Sequence, residues 1–241
     1  NNASLGGSTF IRGNNTTIRN CTLDNNNATL RGGAINVAGN NCNVTDVDVS
    51  GNFAGTDGGA VYVKGDYASF VNVESYNNTA SRGGSTFIEG NFIDVHNCTL
   101  DGNKALFNGS DVSGRGGGLD VAGENCTIYD LDVSNNTADR EGGAFYVKSS
   151  NIHFYDIQSI NNTAQRGGSS FILGNNIIVS NSTFDNNKAI NNGTEGTGLG
   201  GALDVLGNDC KFINVTSLNN NATRGGSTFI RGNNTLIKNC T

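Results

Sequence analysis

The sequence predicts an all-β fold, a right-handed single-stranded parallel β-helix of about nine coils with 25–26 residues each. Three observations predict it: a Gly-Gly pair recurs along the whole chain, apolar residues alternate in short runs, and helical periodicity is absent. A repeat of this length is typical of a solenoid. The pairs begin at Gly6, Gly32, Gly58, Gly83, Gly116, Gly142, Gly167, Gly200 and Gly225, and two of the intervals are lengthened to 33 residues.

Each coil reads as three short strands joined by turns. When the first glycine of each pair is counted as position 0, positions 5 and 12 are apolar in all nine coils, and positions 3, 10, 15 and 17 are mostly apolar or small. Steps of two indicate strands, because successive side chains of a strand point to opposite faces. Equivalent residues then stack about 4.8 Å apart along the axis. Since parallel crossover connections are overwhelmingly right-handed, we expect a right-handed solenoid of the pectin-lyase-like kind.

The turns have their own repeated residues. The glycine pair supplies backbone conformations that other residues resist, and position 22 is alanine in every complete coil, which indicates a tight corner. Position 20 is asparagine, and stacked amides can hydrogen-bond along the axis and satisfy the turn backbone. We therefore interpret this column as a structural asparagine ladder rather than a binding site. Its members are Asn26, Asn52, Asn78, Asn103, Asn136, Asn162, Asn187 and Asn220.

Composition and length set limits on the function. Residues 1–241 read as one β-helix segment with a net charge of −6, and two Gly/Ser/Thr/Asn-rich loops protrude near 106–115 and 190–199. Because the repeat is already under way at Asn1 and still under way at Thr241, we expect a segment of a larger protein. There is no basic stripe for nucleic acid. No apolar run of about 20 residues predicts a membrane span in this segment.

The six cysteines occupy two fixed positions of the repeat. The two columns that contain them are five residues apart around a corner, whereas a disulfide needs Cα atoms within about 7 Å. Ser182 replaces one member of the set, and no Cys-x-x-Cys motif suggests a metal site. We therefore expect buried free thiols. The cysteines are Cys21, Cys98 and Cys240 at position 15, and Cys42, Cys126 and Cys210 at position 10.

Asn-x-Ser/Thr sequons are abundant, and they point to a secreted protein. The chain has no proline and few lysines, and sequon-dense solenoids of this kind suit the cell surface. We predict an extracellular location and N-glycosylation, although many sequons arise by chance in a chain so rich in Asn and Thr. The candidate sites are Asn20, Asn77, Asn97, Asn135, Asn161, Asn181 and Asn214.

Position 4 is the first candidate for a ligand face. It lies between two inward positions, so its side chains are expected to face outward, and its aromatic residues are interrupted only by Asn36, Asp120 and Asp204. Such a face suits sugar rings or a lateral protein partner, or else the aromatic side chains shield their own sheet as cross-strand pairs do. The candidates are Tyr62, Phe87, Asp120, Tyr146, Phe171 and Asp204.

Acidic residues form the second candidate. Positions 14 and 16 place carboxylates on adjacent coils, where they are either weak calcium ligands or solvated surface acids. No other cofactor is expected. The acids recur with the repeat instead of converging on one cleft with separated pKa values, so we predict that this segment is not an enzyme. The calcium candidates are Asp46, Asp48, Glu74, Asp130, Asp132 and Asp156.

The repeat as a whole resembles two families of surface proteins. The pattern seen in Gly32–Val37, Ile18–Ala28 and Val95–Ala105 resembles the repeats of adhesin-like surface proteins of methanogenic archaea. It is also similar to the Gly-Gly-Ala repeats of chlamydial polymorphic outer-membrane proteins. The resemblance implies a right-handed β-helix displayed on the cell surface for adhesion or for wall and filament architecture. It implies no catalytic residues.

These features favour an adhesin-like or structural β-helix stalk at the cell surface. The expected partners are surface glycans or proteins of another cell, or neighbouring copies of the chain. Two alternatives stay open: a carbohydrate-active β-helix enzyme such as a polysaccharide lyase or hydrolase, and a self-assembling extracellular filament subunit. Fold alone does not choose among them.

Overall fold

The computed structural model describes all 241 residues, and every regular element in it is a β-strand. The coils stack into three parallel sheets, which we call sheets A, B and C. The strands of sheet A are Asn2–Leu5, Asn27–Arg31, Phe53–Ala54, Thr79–Ala80, Lys104–Ala105, Thr137–Ala138, Thr163–Ala164 and Lys188–Ala189. The strands of sheet B are Thr9–Ile11, Ile35–Val37, Val61–Val63, Thr86–Ile88, Leu119–Val121, Phe145–Val147, Ser170–Ile172, Leu203–Val205 and Thr228–Ile230.

Sheet C is the broadest of the three, because its strands reach eight residues in the middle coils. Its strands are Thr17–Thr22, Asn43–Ser50, Ser69–Tyr76, Asp94–Asp101, Thr127–Ser134, His153–Ile160, Ile178–Ser180, Thr183–Asp185, Lys211–Ile213, Thr216–Leu218 and Leu236–Lys238. No helix in the chain is long and apolar enough to cross a membrane.

The register of the sheets follows the repeat position by position. In sheet B, for example, Phe87 pairs with Tyr62 on one side and with Asp120 on the other. Every strand pair is parallel, and about nine turns are stacked along one axis. The structure therefore confirms the predicted all-β parallel β-helix and is consistent with its right hand.

The corners explain why Asn and Asp recur. Twenty-four non-glycine residues have positive φ, and twenty-two of them are Asn or Asp. These two residue types enter the left-handed region more readily than others. The corner positions 9, 14 and 19 of the coil therefore select short amide and carboxylate side chains. The two exceptions are Tyr67, at φ 58°, and Phe92, at φ 56°.

The glycine pair is required for two different reasons. Gly58 has φ 63°, a conformation that disfavours any side chain. Gly59 is constrained by space, since a Cβ atom there would lie 2.0 Å from the carbonyl oxygen of Gly84 in the next coil. The pair therefore allows consecutive coils to approach each other at this corner.

The interior is a continuous apolar core that extends from Ile11 to Val215, formed by the inward side chains of sheets B and C. Most alanines of position 22 lie in the strands of sheet A rather than at a corner, and Ala105, Ala138 and Ala164 form a small cluster apart from the main core. All six cysteines are free thiols, and four of them are buried. Burial raises the pKa of Cys98 to about 12, so its thiol stays protonated and inert.

The asparagine ladder is structural, as predicted. The Nδ2 of Asn78 donates to Oδ1 of Asn103, and the Nδ2 of Asn103 donates to Oδ1 of Asn136, each at 3.0 Å. The same Oδ1 atoms also accept hydrogen bonds from backbone N–H groups of the previous coil. These side chains are fully buried, so the ladder satisfies backbone groups that water cannot reach.

Candidate functional site

The six candidates at position 4 point away from the apolar core as predicted, but they are buried, so the expected exposed ligand face is wrong. Tyr62 is 2% exposed and Phe171 is 1% exposed, although both lie outside the apolar core cluster. The rings stack on each other as expected, with centroids 5.8 Å apart for Tyr62 and Phe87. The same is true of Tyr146 and Phe171, at 5.7 Å. The aromatic column therefore covers its own sheet.

Arginine side chains provide the cover. Four arginines that directly precede a glycine pair reach over the aromatic column: the guanidinium of Arg82, for example, lies 4.4 Å from the ring centroid of Phe87, and that of Arg166 lies 4.2 Å from Phe171. An acid between two arginines holds the layer in place, since Asp57 contacts Arg31 at 3.0 Å and Arg82 at 2.7 Å. Sequence periodicity placed position 4 outside the core correctly, but it could not show this second layer.

Two aspartates of the aromatic column are buried in different surroundings. Asp204 is paired with Arg166 at 3.0 Å and with Arg231 at 3.4 Å. Asp120 is the equivalent residue three coils earlier, and it has no ion-pair partner, because the nearby Arg82 contacts Asp57 instead. Burial raises the pKa of Asp120 to about 8, against the opposing influence of Arg82. Neither carboxylate is available to a ligand.

The acidic candidates do not come together in a single cluster. Asp48 and Glu74 are in register on neighbouring strands of sheet C, but Glu74 accepts a hydrogen bond from Tyr76 at 3.0 Å. No three acidic, histidine or cysteine side chains form a group that could hold a metal ion. Asp46, Asp130 and Asp156 are left-handed corner residues. All six candidates are exposed, namely Asp46, Asp48, Glu74, Asp130, Asp132 and Asp156.

The positions of the sequons follow from the backbone conformation at the corners. All seven candidate asparagines are exposed and have the left-handed backbone of positions 14 and 19. At Asn135 the sequon consists of a corner asparagine, a ladder asparagine and Thr137, which lies in a strand of sheet A. The Nδ2 atom that would carry a glycan already donates to Asp101 at 2.7 Å. The left-handed backbone therefore accounts for the asparagines, and glycosylation stays a prediction.

The two loops leave the solenoid at the same corner. Each begins directly after a sheet A strand, at Leu106 and at Ile190, and both of these side chains are exposed. The first loop is anchored to the next coil, since Arg140 donates to the carbonyl oxygen of Asp111 at 2.8 Å. An open groove lies between the loops, and it is lined by Phe107, Asp139, Arg140, Gln165 and Asn192.

Sequence reasoning missed a row of half-buried aromatic side chains on the outer face of sheet C. His96, Tyr129 and Tyr155 stack on consecutive coils, with ring centroids 4.7 Å and 4.5 Å apart. Each ring is stacked on its neighbour, so the row exposes mainly the edges of the rings to solvent. The signal was visible in the sequence as three successive aromatic residues at position 13.

Sequence reasoning also missed a pair of exposed rings at the corner between sheets B and C. Tyr67 is 56% exposed and Phe92 is 47% exposed, and their rings stack at 4.9 Å. They are the two aromatic exceptions among the left-handed residues. The signal was the break in a column that holds only Asn or Asp in its other seven members.

Comparison with known families finds one related repeat. The model of the Chlamydia polymorphic membrane protein repeat matches residues 46–64 and 130–148. Each stretch begins at a corner aspartate of sheet C and ends just after a sheet B strand, so it contains a ladder asparagine and the glycine pair. The chain is therefore similar to this family in its core and turn positions.

The other comparisons add no relatives. No curated protein and no solved structure matches the chain. The expected similarity to the chlamydial repeats is thus supported, whereas the resemblance to archaeal adhesin-like proteins has no support among the matches.

Proposed function

We propose that this β-helix is an adhesive, non-enzymatic stalk of a cell-surface protein, which contacts surface glycans or proteins of another cell. The observation that carries the proposal is the pair of loops at one corner, with an open groove between them. The ladder asparagines and the aromatic residues of position 4, by contrast, are buried in the middle coils. The similarity to the Chlamydia polymorphic membrane protein repeat supports the surface location.

The loops have the composition of a contact site rather than of a packing element. Phe107 and Val112 expose nearly half of their side chains, and polar residues surround them. Exposed apolar groups within a polar rim are typical of protein interaction sites. Functional residues are common on loops that a rigid scaffold positions. The stacked coils form such a scaffold.

A loop-shortened variant tests the proposal. Replacing residues 106–114 by one serine reproduces the loop-free corner at Ala80–Arg82, and replacing 190–199 by Ser-Arg does the same for the second loop. The parent and this variant are compared for attachment to cells and for release of product from polysaccharides. We expect the parent to attach without product release, and the variant to attach at least about tenfold more weakly.

Two results would contradict the proposal. Equal attachment of the parent and the loop-shortened variant would exclude the loops as the adhesive surface. Release of sugar product by the parent would show an enzyme. Far-UV circular dichroism is the control, since both proteins should retain the same β-helix signal.

A further inference from the structure

The fold does not require aromatic side chains at the corner position of Tyr67 and Phe92, since the other coils lack them there. The corner position they occupy requires a left-handed backbone, and the other seven coils use Asn or Asp there. Asn and Asp adopt this conformation at lower cost than a bulky aromatic residue. Two adjacent coils therefore each carry a strained aromatic residue where a better-suited residue is available. Strain that folding does not require is a sign of function.

The rings add little to the core, because about half of each side chain is exposed. Their planes are within 4° of parallel, so each ring shields one face of the other. The neighbours of the pair in the same column are Asn41 and Asn125, whose side chains are short and exposed. These side chains are shorter than the rings, so the part of each outer ring face beyond them is accessible to a planar or ring-shaped ligand.

Polar groups flank both rings. Asp66 and Asn91 directly precede Tyr67 and Phe92 in the chain, and they are half-buried. The Oδ1 of Asp66 accepts from the backbone N–H of Asn91 at 2.8 Å and from its Nδ2 at 3.2 Å, which fixes the carboxylate between the two turns that carry the rings. Amide and carboxylate groups beside an open aromatic face can hydrogen-bond to hydroxyl groups of a ligand that stacks on the ring.

The charge of this corner restricts the ligand further. Asp66, Glu89 and Glu124 are acidic, and Lys64 is the one base among the outward residues of the same three turns. A polymer of uronic acids or sulfated sugars would meet repulsion here. A neutral sugar carries no such penalty, and it presents both an apolar ring face and hydroxyl groups.

We propose that Tyr67 and Phe92 form a binding platform for a neutral sugar ring of a polysaccharide. The sugar stacks on an open aromatic face, and its hydroxyl groups bond to Asp66 and the neighbouring amides. The inference rests on the proposed adhesive function, but the platform lies at a different corner of the coil from the loops. The site is therefore testable independently of the loops.

The test uses affinity electrophoresis of the whole chain in gels that contain one polysaccharide each. The neutral probes are a glucan, a mannan and a galactan, and the acidic probes are polygalacturonate and a sulfated galactan. The double variant Y67N/F92N restores the corner residue of the other coils. The control variant is Phe53→Thr, which removes an exposed aromatic side chain from an ordinary strand.

We expect at least one neutral probe to retard the parent and Phe53→Thr equally. The Y67N/F92N variant should bind that probe at least about tenfold more weakly. Its unfolding temperature should equal or exceed that of the parent, because asparagine relieves the backbone strain. A loss of binding therefore cannot be attributed to misfolding.

Three results would overturn the proposal. These are equal retardation of Y67N/F92N, retardation by acidic probes alone, and no retardation by any neutral probe. Self-association of the parent that disappears in Y67N/F92N, without sugar binding, would instead assign the pair to contacts between copies. Cell attachment by the loops is measured separately, so failure of the sugar platform and failure of the adhesive function give different results.

Discussion

Replacing Asn136 with alanine tests how much the asparagine ladder stabilises the fold. The Nδ2 of Asn136 donates to Oδ1 of Asn162 at 3.1 Å and to the carbonyl oxygen of Leu100 at 2.8 Å. Its Oδ1 accepts from the backbone N–H and from the Nδ2 of Asn103, at 2.9 Å and 3.0 Å. Alanine removes all of these hydrogen bonds in a fully buried site.

The magnitude follows from the groups that lose their partners. The backbone N–H of Asn103 becomes buried and unsatisfied, which costs about 1–3 kcal/mol, and the lost hydrogen bonds to Asn162 and Leu100 contribute about 1 kcal/mol each. We expect the free energy of unfolding to fall by about 4 kcal/mol. This is a large fraction of the stability of a typical domain, which is about 5–15 kcal/mol.

Urea unfolding followed by far-UV circular dichroism measures the effect, since the chain lacks tryptophan. The matched control is Asn43→Ala, which removes an exposed strand asparagine. Its effect should stay within about 0.5 kcal/mol. A loss below about 1 kcal/mol for Asn136→Ala, or a loss equal to that of the control, would refute the structural role of the ladder.

Further predictions concern the buried acids and the glycine corner. Because the folded-state pKa of Asp120 is raised to about 8, its contribution to stability is present below about pH 4 and lost as the pH rises through 8. Asp120→Asn should therefore flatten the fall of the unfolding midpoint between pH 4 and 8, and an unchanged pH profile would contradict this. Asp204→Asn should lower the unfolding midpoint at pH 7, because two arginines lose their carboxylate; a higher midpoint would oppose that reasoning. Gly59→Ala should destabilise by about 3 kcal/mol, since its Cβ would lie 2.0 Å from a backbone oxygen. The control is Gly13→Ala, whose added Cβ would have no atom closer than 3.6 Å. Its unfolding midpoint should stay unchanged or rise.

The repeat made the fold predictable because it consists of local rules. Glycine pairs, alternating apolar positions and Asn-rich corners each constrain the backbone of a few residues. Those rules also predicted the burial of the ladder, whose members such as Asn78 are fully buried. The Arg–acid–aromatic layer is different, because the position of Arg82 above Phe87 depends on the path of a long side chain.

The same distinction applies to the candidate site. The alternation rule placed Tyr62 outside the core, but it could not say that Arg31 would cover it. Sequence reasoning missed Tyr67 and Phe92, although they break a column of Asn and Asp whose left-handed backbone the structure explains. A departure from a repeat is thus more informative about function here than a regular position.

The sequence by itself determined the β-helix, the length of its coils, the strand positions and the residues at each turn. These follow from backbone conformations and side-chain alternation, which act over a few residues and repeat nine times. Only the tertiary structure decided which outward side chains meet solvent. Exposure depends on neighbouring side chains, as when Arg166 covers Phe171 while the short Asn41 and Asn125 leave the rings beside them about half exposed.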